Sequence, residues 1–279
     1  MIDLHLHTTA SDGRSSPDDL VREASAAGLR TIAVTDHDTT AAVSHVTAAA
    51  QRAGLVCIPG IEMTAVLDGR DVHILGYFLD PGDEELNAFL EIQREERRRR
   101  LEEIGDRLAG AGAPIDVPTL IAASTGTGRS VGRPLAAQAL VAAGYARDIA
   151  DAFDRFLSEG QPGFVPRRGS PPVDVVRLIA NAGGIASLAH PGKLKRDDIL
   201  PDLVTHGLAA VEVFHPDHGP DDVARYAAFA EAHHLGTTGG SDYHGPGSGR
   251  SQALGRVTLP ADAFAALVER AGFSGLTGA

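Results

Sequence analysis

Three short stretches far apart in the chain are rich in side chains that bind metal ions: His5-Leu6-His7, Thr35-Asp36-His37 and Gly240-Ser241-Asp242-Tyr243-His244. Each comes at the end of an apolar, strand-like run, which is where barrels and open α/β sheets place their active sites. Further candidates lie between these stretches, mostly at comparable strand ends: Asp12, Glu62, His73, His190 and His215. The pattern predicts one polynuclear metal site assembled from the whole chain, and therefore a hydrolase.

The spacing of these residues suits shared metal ions. Residues two apart on a β-strand point to the same side, so His5 and His7 could bind one ion. Asp242 and His244 repeat that spacing. Imidazole and carboxylate groups without a thiolate favour manganese, iron or zinc. Clustered ions of this kind lower the pKa of a bound water and clamp a phosphate during in-line displacement.

Strand-like and helix-like segments alternate at both ends of the chain. Strands are predicted at residues 2–7, 31–36, 55–62, 72–78, 185–190, 209–214 and 236–241. A helix is predicted from residue 16 to about 28, and a second from the end of the second strand to about residue 54. Further helices are predicted at 172–182, 197–206, 220–234 and 261–271. This alternation favours a parallel sheet with helical crossovers. The strand count predicts an α/β fold, a seven-stranded (β/α)7 TIM-like barrel.

The middle of the chain follows a different pattern, in which helix succeeds helix. Helices are predicted at residues 84–108, 118–124, 134–143 and 148–159. In the first of them, Leu101, Ile104 and Leu108 recur at helical spacing. We therefore expect a barrel domain formed by residues 1–80 and 166–279, with a helical insertion at 81–165 that covers the active site.

Charge and composition exclude several functional classes. The net charge of -12 argues against stable binding to duplex nucleic acid, although bound divalent cations would still admit a small anionic substrate. The single cysteine, Cys57, excludes an intramolecular disulfide and a zinc finger. The chain has no 18-residue apolar run, and its first residues include neither a basic leader nor an apolar signal core. We expect a cytoplasmic protein that does not bind a membrane.

Six motifs, taken in order, resemble those of the PHP superfamily, the polymerase and histidinol phosphatase domains. They are Asp3-Leu4-His5-Leu6-His7, Thr35-Asp36-His37, Gly60-Ile61-Glu62, Val72-His73, Ala189-His190-Pro191-Gly192 and Gly240-Ser241-Asp242-Tyr243-His244. The resemblance extends from residue 2 to about residue 245. It implies a distorted seven-stranded barrel that holds two or three divalent ions (Mn²⁺, Fe²⁺ or Zn²⁺) and cleaves phosphate esters.

The family's ligand pattern, carried over to this chain, implies three ion sites. The first would comprise His5, His7, Glu62 and Asp242; the second His73 and His190, with Glu62 as the bridge; and the third Asp12, His37 and His244. In some relatives a histidine stands in place of Asp12, which leaves the third ion and its occupancy open. Asp36 has two open roles, because it could either orient His37 or cap the following helix.

Two further residues are candidates for catalysis. His215 ends a strand outside the three ion sites and could donate a hydrogen bond to phosphate or protonate the leaving oxygen. Arg133 could grip a second phosphate through two parallel hydrogen bonds. It lies in Ser130-Val131-Gly132-Arg133-Pro134, which resembles a motif of the TrpH- and YciV-related subgroup. Members of that subgroup act on nucleoside 3',5'-bisphosphates and, in some cases, on the 5' ends of short RNA. Leu135 stands where their motif usually has a histidine.

Other basic residues are candidate contacts to the substrate. Arg97 and Arg100 lie on the same side of a predicted helix, and they could hold a phosphate if the insertion folds over the barrel mouth. Lys193 follows the His190 motif and could reach the same pocket. The full set of expected substrate contacts is Asp12, His37, Arg97, Arg100, Ser130, Arg133 and Lys193.

These residues together predict a metal-dependent phosphoesterase. Hydroxide held by the ions would attack a terminal phosphate of a small nucleotide-like substrate, either a nucleoside 3',5'-bisphosphate or a 5'-phosphorylated short oligonucleotide. Histidinol-phosphate phosphatase is an alternative, and a neutral or acidic pocket wall would favour it. A non-catalytic metal-binding module is an alternative of another class. The sequence is compatible with a monomer or a homodimer.

Overall fold

Seven strands form one sheet whose spatial order follows the chain. They are β1 (Ile2–Leu6), β2 (Thr31–Val34), β3 (Val56–Leu67), β4 (Arg70–Tyr77), β5 (Ile185–Leu188), β6 (Ala210–Phe214) and β7 (Gly236–Gly239). A parallel bridge between Leu6 and Tyr243 joins the two edges, and the His7 N–H donates to the Tyr243 carbonyl at 2.9 Å. The structure, a computed structural model, describes residues 1–124 and 131–273. The nearly closed α/β barrel confirms the predicted fold.

Strand β4 is antiparallel to both of its neighbours, so the expectation of a fully parallel sheet is wrong at this position. A tight turn at Asp68 and Gly69, with φ of 51° and 74°, joins β3 directly to β4. Two residues with positive φ make a turn that suits a hairpin, whereas a parallel partner would need a long crossover. As a consequence, His73 lies in the first half of β4 and not at a strand end. It still reaches the rim where the parallel strands end.

Helices surround the barrel and form the middle of the chain. They are α1 (Pro17–Ala26), α2 (Val43–Arg52), α3 (Glu84–Gly110), α4 (Val117–Ser124), α5 (Arg133–Ala142), α6 (Ile149–Ala152), α7 (Pro172–Asn181), α8 (Pro191–Leu194), α9 (Leu200–Thr205), α10 (Pro220–Ala232) and α11 (Ala261–Arg270). The short α8 was not predicted. The helix expected at 148–159 has two parts, α6 and a π-helical turn at Phe153–Leu157 that follows it directly. No helix in the described ranges is both long and apolar enough to span a bilayer.

The alternation along β1 shows how the sequence separates packing from chemistry. Leu4 packs among residues that include Phe264 and Leu267 of α11, whereas Leu6 packs with the apolar faces of α1 and α2. The side chain of His5, which lies between them in the sequence, points to the opposite face of the strand, into the barrel, and is fully buried there. The barrel interior at this strand is therefore polar, and the apolar cores lie between the sheet and the helices.

The helices between residues 84 and 157 share an apolar core of their own. Leu101, Ile104 and Leu108 are buried in it together with residues of α4, α5 and the π-helical turn. The first part of α3 packs differently, since Leu86 and Leu90 belong to the core of the barrel. The single helix α3 thus connects the two cores. The division into a barrel (1–80 and 166–279) and an insertion (81–165) remains a prediction.

Candidate metal centre

The carboxylate of Glu62 is the centre of the site. It is buried, and its two oxygens face five imidazole rings. The shortest distances from a Glu62 oxygen to a ring nitrogen are 3.3 Å for His5 and His7, 3.2 Å for His37, 2.8 Å for His73 and 3.1 Å for His190. The first three rings face one oxygen and the last two face the other. Glu62 is therefore placed to bridge two groups of ligands.

Asp242 completes the first group of candidate ligands. Its Oδ1 lies 3.4 Å from His5 Nε2 and 3.2 Å from His7 Nε2. Ligand atoms that share an ion through bonds of about 2.0–2.2 Å lie roughly 3.0–3.4 Å apart. His7 is fully buried, and neither of its ring nitrogens makes a hydrogen bond. Buried polar atoms without partners are rare, so this donor set fits a cation.

Asp12 organises a second group at the rim. Its carboxylate lies 3.2 Å from His244 Nε2, 3.7 Å from His7 Nδ1 and 3.8 Å from His37 Nε2. A third group of His37, Glu62 and His73 also has spacing suited to a metal ion. All nine ligands expected from the sequence thus lie in one continuous cluster. Their division among individual ions is less simple than expected, because His7 and His37 each belong to two groups. The assignment of ligands remains a prediction.

The charges in the cluster favour ionised acids. Burial raises the pKa of Glu62, but the surrounding His37 and His73 lower it by more. The pKa of Glu62 therefore lies well below the usual range of a glutamate. Burial opposes protonation of His7, yet the carboxylates of Asp242 and Glu62 raise its pKa to about 10. His37 responds mainly to burial, which lowers its pKa to about 4. A concentration of buried carboxylates and imidazoles is the arrangement expected around divalent cations.

Glu212 supports the cluster from inside the barrel, and sequence reasoning missed it. Its Oε1 lies 2.8 Å from His5 Nδ1, and its Oε2 accepts the His190 N–H at 2.7 Å. The first bond turns the other nitrogen of His5, Nε2, toward Glu62 and Asp242. The second fixes the backbone of His190, which has a φ of 30°. The signal that the sequence offered for Glu212 was its position as a single acid between the apolar residues of β6.

His215, expected to be catalytic, lies behind Asp242. The backbone N–H of Asp217 donates to His215 Nδ1, so the proton of this ring is on Nε2, which lies 3.4 Å from Asp242 Oδ2. Arg250 approaches the same Oδ2 at 2.8 Å. These contacts leave Oδ1 of Asp242 to face His5 and His7. The geometry gives His215 a positioning role, and its direct catalytic role remains an untested prediction. Arg250 was not anticipated.

Asp36 serves neither of the two roles considered for it. It accepts hydrogen bonds from the backbone N–H and the hydroxyl of Thr8 and from the hydroxyl of Ser11. It therefore holds the loop that carries Asp12 rather than orienting His37 or capping α2. The helix begins seven residues later, at Val43, without a side-chain cap.

Gly240 directly follows β7, where the chain passes close to β1. A Cβ at this position would lie 2.6 Å from Asp3 Oδ1 and from His5 Cβ, and it would overlap the His5 backbone nitrogen. Asp3 accepts the N–H groups of His5 and Ser241, at 3.2 and 3.0 Å. The absence of a side chain at Gly240 thus allows β1, which carries His5, and the segment after β7, which carries Asp242, to approach each other.

A cavity of about 210 Å³ opens beside the cluster. Candidate ligands form one side of it, namely Asp12, His37 and His73. The helical middle of the chain and the segment after it form the other side. The residues there include Arg97, Arg100, Val131, Gly132, Arg133, Pro134, Phe153 and Arg167. We call this space the inner cavity.

The inner cavity contains three of the expected basic contacts. Arg97, Arg100 and Arg133 all line it. Lys193 is exposed and does not, so the structure does not bring it to this site. Ser130 lies outside the described residues. Arg167, considered only as a rim contact, is largely buried and lies 3.0 Å from Asp71.

Comparisons with known proteins identify related enzymes. The PHP domain family matches residues 3–109. The 5'-3' exoribonuclease Rnm of Escherichia coli (strain K12) is 36% identical over 253 residues, covering 88% of this chain and 85% of the relative. The 3',5'-nucleoside bisphosphate phosphatase of Chromobacterium violaceum is 32% identical over 262 residues, covering 89% and 88%.

A third relative and a solved structure extend the comparison. The phosphoribosyl 1,2-cyclic phosphate 1,2-diphosphodiesterase of Eggerthella lenta is 38% identical over 253 residues, covering 87% of this chain and 94% of the relative. A crystal structure from Bifidobacterium adolescentis, of a protein named for a proposed metal-dependent phosphoesterase activity, has a TM-score of 0.86 and 33% identity. It covers 100% of this chain and 98% of that one. All of these names denote phosphoric ester hydrolysis.

Proposed function

This chain belongs to the PHP family and is a metal-dependent phosphoric ester hydrolase, and from that premise we propose that its substrate is a small nucleotide with two phosphates. Either a nucleoside 3',5'-bisphosphate or a short 5'-phosphorylated oligonucleotide has this chemistry. One phosphate would face the candidate ligands, and the inner-cavity arginines would hold the other. The relatives named for nucleoside bisphosphate and RNA substrates support this choice.

The observation that carries the proposal is the surplus of positive charge opposite the metal centre. Four arginines line the inner cavity: Arg97, Arg100, Arg133 and Arg167. Two buried or partly buried acids partner them. Asp38 pairs with Arg97 and lies 3.6 Å from Arg167, and Asp71 pairs with Arg167. The acids cannot balance all four guanidinium groups, so the wall is suited to a phosphate dianion.

Arg133 and Arg100 have the most freedom to bind it. The Arg133 guanidinium makes no hydrogen bond or ion pair with any residue that the structure describes. Arg100 uses Nε and Nη2 for the Val165 carbonyl, at 3.0 and 2.8 Å. Burial and the neighbouring Arg133 and Arg167 lower the pKa of Arg100 to about 10. A bound phosphate would relieve this repulsion between like charges.

The chain's own residues would position the reaction in three ways. Divalent ions held by the cluster would supply Lewis acidity and positive charge to the reacting phosphate. Glu212 would orient His5, and His215 and Arg250 would orient Asp242, while the arginine wall would fix the distance from the second phosphate to that centre. The same wall disfavours histidinol phosphate, because its amine would face guanidinium groups.

Replacement of Arg133 by alanine tests the proposal. We expect kcat/KM for adenosine 3',5'-bisphosphate to fall by roughly 10- to 100-fold, because hydrogen bonds to charged groups contribute about 1.5–3 kcal/mol. Turnover of the adenosine monophosphates, which lack the second phosphate, should change much less. Arg98→Ala is the matched control, because Arg98 pairs with Glu95 within α3 and does not line the inner cavity. Equal losses on bisphosphate and monophosphate would show that Arg133 does not hold the second phosphate.

A further inference from the structure

The turn that carries His190 has an unfavourable backbone conformation. His190 has φ of 30° and ψ of 55°, in the left-handed region that residues with a large side chain rarely adopt. Its Nε2 nevertheless lies 3.1 Å from Glu62 Oε1, the oxygen that also faces His73. Such a conformation persists only where the surrounding structure holds it in place. The contacts that hold this turn therefore determine whether His190 reaches Glu62.

Two side chains from β6 and the loop after it hold the turn. Glu212 accepts the N–H of His190 itself. His218 acts two residues further along, because its Nε2 accepts the Gly192 N–H at 3.1 Å. The other ring nitrogen of His218, Nδ1, donates to the Val213 carbonyl at 2.9 Å, since an imidazole that accepts at Nε2 carries its proton on Nδ1. The half-buried ring thus connects the turn to the backbone of β6.

Gly192 allows the His218 ring to lie this close to the turn. A Cβ at this position would lie 2.8 Å from Cδ2 and 3.0 Å from Nε2 of the ring, and 3.3 Å from Asp222 Cγ. Gly192 lies within α8 and is not among the glycines with positive φ, so its backbone conformation does not itself require glycine. The packed ring is the contact that excludes a larger residue, and the two residues therefore act as a pair.

We propose that His218 is a positioning residue of the metal centre, which holds the turn so that the His190 imidazole faces Glu62. Both ring nitrogens of His218 are engaged by backbone groups, so neither is left to bind an ion or a phosphate. Its effect is transmitted through the backbone from Gly192 to His190. This inference rests on His190 being a metal ligand of the proposed hydrolase, and it does not depend on which phosphate ester is cleaved.

Two substitutions of His218 separate positioning from packing. His218→Leu keeps most of the bulk but removes both hydrogen bonds, whereas His218→Gln retains a side-chain acceptor for the Gly192 N–H. Competition with a chelating dye measures the Mn²⁺ affinity of metal-stripped protein, and circular dichroism checks the fold. We expect a loss of roughly fivefold in His218→Leu, the size of one hydrogen bond, and a smaller loss in His218→Gln. A role in packing alone would give the opposite order, because leucine fills an apolar contact better than glutamine.

His206→Leu is the matched control. The His206 Nδ1 also lies 2.8 Å from a backbone carbonyl, that of Asp202, but it does so at the end of α9 and away from the candidate ligands. We expect this variant to bind Mn²⁺ as the wild type does.

Amide hydrogen exchange reports on the turn without any ion. In metal-stripped protein the peptide that contains Gly192 should exchange several times faster in His218→Leu than in the wild type, because its N–H has lost its acceptor. The same peptide should be unchanged in His206→Leu. Unchanged exchange in His218→Leu would show that His218 does not hold the turn.

A double-mutant cycle tests the pair of Gly192 and His218. Gly192→Ala should lower Mn²⁺ affinity by about fivefold in the wild type, because the added methyl group displaces the ring. In His218→Ala, where the methyl group has room, the same change should cost less than about twofold. Equal losses in both backgrounds, or Mn²⁺ affinity within about twofold of the wild type in His218→Leu, would overturn the proposal. Failure of the wild type to hydrolyse a nucleoside bisphosphate would overturn the proposed function, while the Mn²⁺ and exchange data would still decide the role of His218.

Discussion

Glu212→Gln is expected to weaken metal binding while preserving the fold. The Glu212 carboxylate lies 2.8 Å from His5 Nδ1 through one oxygen and 2.7 Å from the His190 backbone nitrogen through the other. Glutamine keeps one carbonyl oxygen for the His190 N–H. It places an amide NH₂ against His5, and that group cannot accept the Nδ1 proton. His5 then loses the contact that directs Nε2 toward Glu62 and Asp242.

The magnitude follows from this one lost contact. Replacing a carboxylate that orients a metal-binding histidine lowers metal affinity by about 10- to 100-fold. That range corresponds to roughly 1.4–2.7 kcal/mol, which agrees with about 1.5–3 kcal/mol for a hydrogen bond to a charged group. Glu212→Asp retains the charge but shortens the side chain, so it should recover only part of the affinity.

Competition with a chelating dye measures the Mn²⁺ affinity, and circular dichroism checks the fold. Ser187→Ala is the matched control. Ser187 is also buried inside the barrel, where its hydroxyl lies 2.8 Å from Thr238 Oγ1 and contacts no candidate ligand. We expect this control to bind Mn²⁺ as the wild type does. A Glu212→Gln protein that is folded and binds Mn²⁺ within twofold of the wild type would refute the positioning role.

Two further predictions concern the stability of the site. Mn²⁺ at about a hundred times its Kd should stabilise the native state by about 2.7 kcal/mol, which raises Tm by roughly 5 °C in a chain of 279 residues. An unchanged Tm after chelation in scanning fluorimetry would contradict a metal centre. Gly240→Ala should lower Tm and Mn²⁺ affinity, because its Cβ would overlap the backbone of His5, with a cost of about 1–3 kcal/mol. Gly110→Ala, at a position with no atom near the added Cβ, should leave both unchanged or raise Tm slightly; similar behaviour of the two variants would argue against a tight strand contact.

Much of the barrel follows from local sequence patterns. The alternation of β1 assigns Leu4 and Leu6 to the helix-facing side and His5 to the interior, and the structure has this arrangement. The hairpin between β3 and β4 also had a local signal, Asp68-Gly69, but the periodic β-α pattern around it favoured a parallel strand. Local turn chemistry determined the direction of β4, and that direction brings His73 to the rim.

The arrangement around the ligands was harder to predict, since it depends on contacts between distant elements. Glu212 and His5 are 207 residues apart in the chain, and Arg97 and Asp38 are 59 apart. Strand periodicity can place an acid such as Glu212 inside a barrel, but it cannot say which histidine the acid meets. Arg167 is a comparable case, because its pairing with Asp71 depends on how the segment after the helical middle of the chain returns to the barrel.

Phosphate release from a small panel of esters tests the central claim most directly. The panel contains adenosine 3',5'-bisphosphate, AMP, histidinol phosphate and a short 5'-phosphorylated RNA, each assayed with metal-stripped and with Mn²⁺-reconstituted protein. We predict hydrolysis only after reconstitution, with kcat/KM for the bisphosphate or the RNA at least tenfold above that for AMP and histidinol phosphate, the factor expected from about 1.4 kcal/mol of contact with a second phosphate. Equal or greater activity on histidinol phosphate, or equal turnover without metal, would contradict the account.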